Sequence, residues 1–106
     1  MDILISPAAV TDLQHIKSYI GIELGNPDAA KRLINKIIEK YERLSEFPLM
    51  GPALEPVIGK QTPFRFLVCE NYMIFYTVEQ EHIKIYRILY GKSDYINKIF
   101  GNFELI

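Results

Sequence analysis

A single cysteine, Cys69, in a chain of 106 residues excludes an internal disulfide. Its place in an apolar, β-type run reads as a buried thiol rather than a reactive one. The two histidines, His15 and His82, lie far apart, and neither CxxC nor HxxxH spacing occurs, so no metal ligand set is legible. The glycines form no phosphate-cradling loop, and no serine sits in a nucleophile elbow. No cofactor, metal or small-molecule substrate is therefore expected. The first residues, MDILISPAAV, carry an acid at the second position, no basic segment and no long apolar run. Neither a signal peptide nor a membrane span is expected, which places the chain in the cytoplasm with no membrane partner. A cationic excess is missing too. The formal net charge is −1 and the pI about 6.1, and the stretch from Lys60 onward holds six Lys/Arg against five Asp/Glu. That balance argues against non-specific nucleic-acid binding.

What is present concentrates between Phe64 and Tyr95, which hold five of the seven tyrosines and three of the six phenylalanines. Branched and aromatic residues suit a pleated surface, and short polar breaks at Glu70-Asn71 and Glu79 to His82 divide the run into a three-strand meander. Tyr72, Ile74, Tyr76 and Val78 share one face of the middle strand; Met73, Phe75 and Thr77 share the other. Both faces are largely apolar, so both should be covered.

Asp2 to Ile5 reads as a first strand. Ser6-Pro7 then supplies a side-chain cap and a proline whose missing N–H costs nothing at a helix start. Val10, Leu13, Ile16, Ile20 and Leu24 predict an apolar stripe on the first helix, weakened at Gly21 and stopped at Gly25. Asn26-Pro27 repeats the signal, and Ala30, Leu33, Ile34, Ile37, Ile38, Tyr41 and Leu44 predict a second helix over Pro27 to Glu46. So short a link makes the two an antiparallel hairpin, packed on one sheet face.

Four of the six prolines fall between Phe47 and Pro63, which excludes a helix or central strand running through that segment. It should wrap the domain edge as a crossover. Ser93-Asp94 can cap a last short helix with Ile96, Ile99 and Phe100 facing inward, ended by Gly101. Phe103, Leu105 and Ile106 make an apolar tail, tucked onto the sheet or held by a partner. Residues 1–106 are expected to form one α+β domain: an N-terminal strand and helix hairpin on a mainly antiparallel four-stranded sheet, with a short C-terminal helix.

The candidate chemistry is a scatter of cations and phenols on the meander: Arg65, Lys84, Arg87, Tyr90, Lys92 and Tyr95. Arg65 and Arg87 stand among apolar residues in strand patterns, so each guanidinium either lies at a sheet margin or serves a partner's carboxylate or phosphate. His15 and His82 read as surface and turn residues. Arg32, Lys36, Lys40 and Arg43 along the second helix read as a solvated face interleaved with acids.

The assembled order resembles the RelE/ParE superfamily of bacterial type II toxin-antitoxin toxins over nearly the whole chain. The resemblance is carried by ISPAAVTDLQHIKSYI with its hairpin, by Arg65, by Asn71-Tyr72 with Phe75-Tyr76, and by Arg87-Ile88-Leu89-Tyr90-Gly91 with Asp94-Tyr95. It implies a growth-inhibiting toxin, of a kind associated with plasmid stabilization, neutralised by an antitoxin that wraps it. RelE-like members cut ribosome-bound mRNA without a metal; ParE-like members bind and poison DNA gyrase. Met73 and Ser93 stand where many RelE-like members carry arginines, cations that stabilise charge on the scissile phosphate. The Tyr-apolar-apolar-Phe-Tyr strand and the Tyr-Gly-x-x-Asp ending resemble the ParE side. In that binding reading Arg65, Arg87, Tyr90 and Lys92 form the partner surface. A nuclease would instead draw on Arg65 and Lys92 for phosphate and on Tyr95 or His82 for the proton. A degenerate member would bind only its antitoxin.

Overall fold

The computed structural model describes residues 1–101; the apolar tail from Phe103 to Ile106 lies outside them. Strand β1 spans Asp2–Ile5, and α1 follows at Pro7–Ser18. Ser6 caps α1 as its sequence predicts, its Oγ accepting the Ala9 N–H at 3.0 Å. The helix then widens into a π turn over Tyr19–Glu23, where the Leu24 N–H reaches back five residues to the Tyr19 carbonyl at 2.9 Å. Gly25 closes it at φ +67°, with the Asn26 N–H on the Ile20 carbonyl at 3.0 Å. This closure, one residue wider than the usual six-to-one bond because of the π turn, uses the left-handed residue that glycine supplies without steric cost.

Helix α2, Pro27–Glu42, is capped by Asn26 Oδ1 on the Ala29 N–H at 3.1 Å and tightens into a 3₁₀ turn at Arg43–Ser45. Ala30, Ile37, Tyr41 and Leu44 are buried along one side, as the periodicity predicts. Helix α1 departs from its predicted stripe. Val10 and Leu24 are exposed, whereas Ala9, Asp12 and Ile16 are buried. The inward face is thus rotated toward a carboxylate.

Strands β2 (Arg65–Cys69), β3 (Tyr72–Val78) and β4 (His82–Tyr90) form the expected antiparallel meander. β1 joins parallel to β4, so the sheet order is β1-β4-β3-β2. The ladder between β3 and β4 shifts after Phe75, which pairs with Arg87 while Tyr76 pairs with Ile85. Tyr86 is the extra residue, and β4 bends there.

Both sheet faces are covered. Ile74, Tyr76, Ile83, Ile85 and Ile88 pack with Ile16, Ile37, Tyr41 and Leu44 under the hairpin. On the other face Phe75 and Leu89 join Leu54 and Phe64, with Tyr95, Ile99 and Phe100 of the last helix, α4 (Tyr95–Phe100), against them. Ile96, predicted to face inward, is exposed. Asp94 precedes α4 without capping its backbone and accepts instead from Asn97 Nδ2 at 2.6 Å.

The proline-rich connection is more ordered than a plain crossover. It contains one helical turn, α3 (Glu55–Ile58), begun with Pro56 and ended by Gly59 at φ +68°. No helix or central strand runs through the segment, as expected: proline is compatible with a first turn, which is all α3 is. The buried Tyr76 hydroxyl accepts the Gly51 N–H and donates to the Pro48 carbonyl, both at 2.9 Å. A Cβ on Gly51 would stand 2.3 Å from the Phe66 carbonyl oxygen, so the loop can approach β2 only with glycine there.

Candidate functional site

Side-chain alternation along the paired strands sorts the predicted site residues onto different parts of the molecule. Arg65 is in register with Tyr76 and so shares the hairpin-side face; Arg87 is in register with Phe75, on the opposite face. His82 opens β4 and Tyr90 ends it, placing them at opposite ends of one strand, roughly 26 Å apart at about 3.3 Å per residue. The Tyr95 ring lies against Phe75, with ring centroids 5.2 Å apart. A single docking surface comprising Arg65, Arg87, Tyr90 and Lys92 is therefore not what the fold builds.

Both arginines are engaged within the chain. Arg65 Nε donates to the Gly51 carbonyl at 2.7 Å and Nη2 to that of Leu49 at 3.5 Å, fastening the proline-rich loop. Arg87 forms a two-pronged pair with Asp12, Nε to Oδ2 at 2.8 Å and Nη2 to Oδ1 at 2.9 Å, and Nη1 donates to the Lys98 carbonyl on α4 at 3.1 Å. The hydrogen bond to Asp12 pushes the guanidinium pKa upward, so it stays charged. Parallel N–H···O bonds of this kind fix orientation as well as charge. Asp12 Oδ2 also accepts the Ile88 N–H at 2.9 Å. Because β1 stops at Ile5, opposite Ile85, the next outward groups of β4 would otherwise lack partners. Ser6 donates through Oγ to the Tyr86 carbonyl at 2.7 Å, and Asp12 takes the Ile88 amide. The start of α1 thus continues the ladder with side chains.

His82, read from the sequence as a turn residue, is the first residue of β4, and its Nε2 stands 3.2 Å from a Glu79 carboxylate oxygen across the β3–β4 turn. Among the described residues no group of three or more His, Cys, Asp or Glu is placed to hold a metal, and no helix is long and apolar enough to cross a membrane.

What the fold does gather is at the other end of the sheet. The β2–β3 turn, Glu70-Asn71, meets the end of β4 there, and the Gly91 N–H donates to the Asn71 carbonyl at 2.8 Å. Tyr72 and Tyr90 sit edge to face, centroids 5.8 Å apart, and exposed Lys92 follows. Burial, with the neighbouring Tyr19 and Tyr90 phenols, raises the Tyr72 pKa, so its hydroxyl stays a neutral donor and acceptor. Glu70 adopts φ +54°, a conformation that carbon-bearing side chains seldom take. Its carboxylate lies 3.8 Å from Lys36 Nζ on α2. Between this turn and the end of the hairpin a cleft of about 570 Å³ opens. Tyr90 and Lys92 were legible as candidates, while Tyr19 and Glu70 were not. Their role comes from chain reversals that no local periodicity encodes.

The geometry can be set beside known proteins. A family model described as "ParE toxin of type II toxin-antitoxin system, parDE" matches residues 3–95. A solved chain from the chromosomal ParDE TA system of P. aeruginosa is 22% identical, with a TM-score of 0.72 over 85% of this chain and 95% of that one. That likeness concerns the fold. No curated protein sequence matches.

Proposed function

The chain belongs to the ParE toxin family of type II toxin-antitoxin systems, and on that premise we propose that it acts by binding: it inhibits DNA gyrase and is held inactive by a cognate antitoxin. The observation that carries this reading is the dispersal of the cations. A metal-free nuclease needs several donors converging on one phosphate. Here Arg65 is tied to the loop carbonyls and Arg87 to Asp12, while Met73 and Ser93 contribute no charge. Lys92 and Tyr90 remain at the sheet end as groups open to another macromolecule. Binding requires only such a surface, with a phenol and a cation as anchors of the kind that dominate protein interfaces. Arg65 and Arg87 hold the loop and α4 instead.

Induced expression in bacteria tests the proposal. Accumulation of cleaved gyrase-DNA complexes, with loss of supercoiling by purified gyrase on addition of the chain, is the expected result. Codon-phased breaks in ribosome-bound mRNA, with gyrase unaffected, would replace it with the RelE-like reading. An absence of any growth defect would leave only antitoxin binding.

A further inference from the structure

The sheet has two edges, and only one is covered. Along β2 the proline-rich loop supplies the cover: Ala53 bridges Arg65, the Phe66 N–H donates to the Pro52 carbonyl at 3.1 Å, and the Leu54 N–H donates to the Phe64 carbonyl at 3.0 Å. β1 forms the other edge. The Ser6 N–H donates to the Ile85 carbonyl, which fixes the phase of this parallel ladder: Leu4 turns its N–H and C=O toward β4, and Ile3 and Ile5 turn theirs outward. Nothing among the described residues pairs with those outward groups. The side chains beside them are apolar. Leu4 is 51% exposed on the face it shares with Lys84, while Ile3 and Ile5 lie half-buried on the hairpin side. On that side a groove of about 540 Å³ runs beside the strand, lined also by Ile38, Tyr41 and Glu42 of α2. The end of α2 stands at the start of β1, where the Met1 amine donates to the Ser45 carbonyl at 3.0 Å, and α1 starts where β1 ends.

We propose that β1 pairs antiparallel with β1 of a second copy of this chain, about a two-fold axis at Leu4, so that two four-stranded sheets become one. With Leu4 on the axis, Ile3 of each copy faces Ile5 of the other as a closely bonded pair, which gives about four main-chain hydrogen bonds. Leu4 then faces Leu4 at a position without such bonds, where cross-strand side chains come closest, and each covers the other. The same rotation sets the end of α2 in one copy beside the start of α1 in the other. Exposed Glu42 thereby meets the positive end of a helix dipole, once in each direction. A different chain could supply main-chain groups to this edge, but the leucine contact and the match of Glu42 with α1 both come from this chain's own surface, repeated by the axis. So short a strand pair buries less than a standard interface, so a dissociation constant of roughly 10–100 μM is expected. Tyr90 and Lys92 lie beyond the part of β4 that β1 reaches, and each dimer presents them twice.

The test uses the full chain carrying no N-terminal tag. Sedimentation should show a monomer–dimer equilibrium, and hydrogen exchange at Ile3 and Ile5 should slow as protein concentration rises. Leu4→Glu puts like charges opposite each other and removes the apolar contact, and should weaken the dimer about tenfold or more. Val57→Glu, equally exposed on α3, should leave it within about threefold. Leu4→Cys gives a reading that misfolding cannot imitate: the two thiols meet on the axis, and mild oxidation should yield a disulfide-linked dimer. Val68→Cys, as exposed but on β2, should stay unlinked, as should wild type with its buried Cys69. A chain that remains monomeric at about ten times the upper constant overturns the proposal. So does a dimer that survives Leu4→Glu and leaves Leu4→Cys unlinked. Slowed exchange at Ile3 and Ile5 only when the antitoxin is added gives the edge to the antitoxin, and overturns the proposal as well.

Discussion

Asp12 and Arg87 lie 75 residues apart in sequence and meet through two parallel hydrogen bonds of 2.8 and 2.9 Å. The carboxylate closes the open edge of β4 through the Ile88 N–H, and the guanidinium reaches on to the Lys98 carbonyl of α4. One ion pair therefore joins the first helix, the central strand and the last helix. Asp12 is 7% exposed, so this is a paired interior charge rather than a surface contact.

Asp12→Ala should destabilise the fold by about 2–4 kcal/mol, slightly under the range for a wholly buried pair because Arg87 keeps some solvent. It strands a guanidinium and a strand amide at once. Asp12→Asn retains an acceptor for the Ile88 N–H and should lose less. Urea denaturation midpoints of the three proteins check the order.

Removing the Tyr76 hydroxyl unfastens the proline-rich loop. Tyr76→Phe leaves the Gly51 N–H and Pro48 carbonyl without their partner and should cost about 1–3 kcal/mol. Gly51→Ala should cost a similar amount or more by pressing a methyl group against the Phe66 carbonyl. In both variants limited proteolysis should cut between residues 47 and 63 before it cuts the strands.

Glu70→Gly should stabilise the isolated chain by about 1 kcal/mol, because glycine adopts a positive φ without the strain a glutamate carries. The lost contact with Lys36 is exposed on both sides and offsets little of the gain. Thermal unfolding of the variant and the parent at the same protein concentration checks the sign.

Stability should fall on the alkaline side. Burial raises the pKa values of Tyr41, Cys69 and Tyr72 above their ordinary values, so the folded state favours their neutral forms. For groups whose folded pKa is raised, the stabilisation is complete below the unfolded value and is lost as pH climbs through the folded one. The decline should begin as the ordinary thiol range is reached and steepen through the phenol range. Cys69→Ala should remove the earlier part of that decline, as read from denaturation midpoints across alkaline buffers.

Much of the architecture was legible from local pattern. Ser6-Pro7 and Asn26-Pro27 marked both helix starts because capping chemistry acts within three residues. Alternation in Tyr72 to Val78 assigned Ile74 and Tyr76 to one face and Phe75 to the other. The inward face of α1 was legible at Leu13, Ile16 and Ile20 but not at Asp12, which counted as polar. Its burial depends on Arg87 and on the early end of β1, neither visible within the helix itself.

Family membership, the starts of both hairpin helices and the antiparallel meander were thus legible in the sequence alone, since caps, periodicity and turn residues act over a few positions. Where the cations go was decided only by tertiary structure. Arg65 and Arg87 look alike in sequence, each a guanidinium among apolar neighbours, yet the register of the sheet turns them to opposite faces and gives each an internal acceptor. The open groups instead gather where the hairpin end meets the β2–β3 turn. That meeting is fixed by packing between segments distant along the chain, and no stretch of residues specifies it by itself.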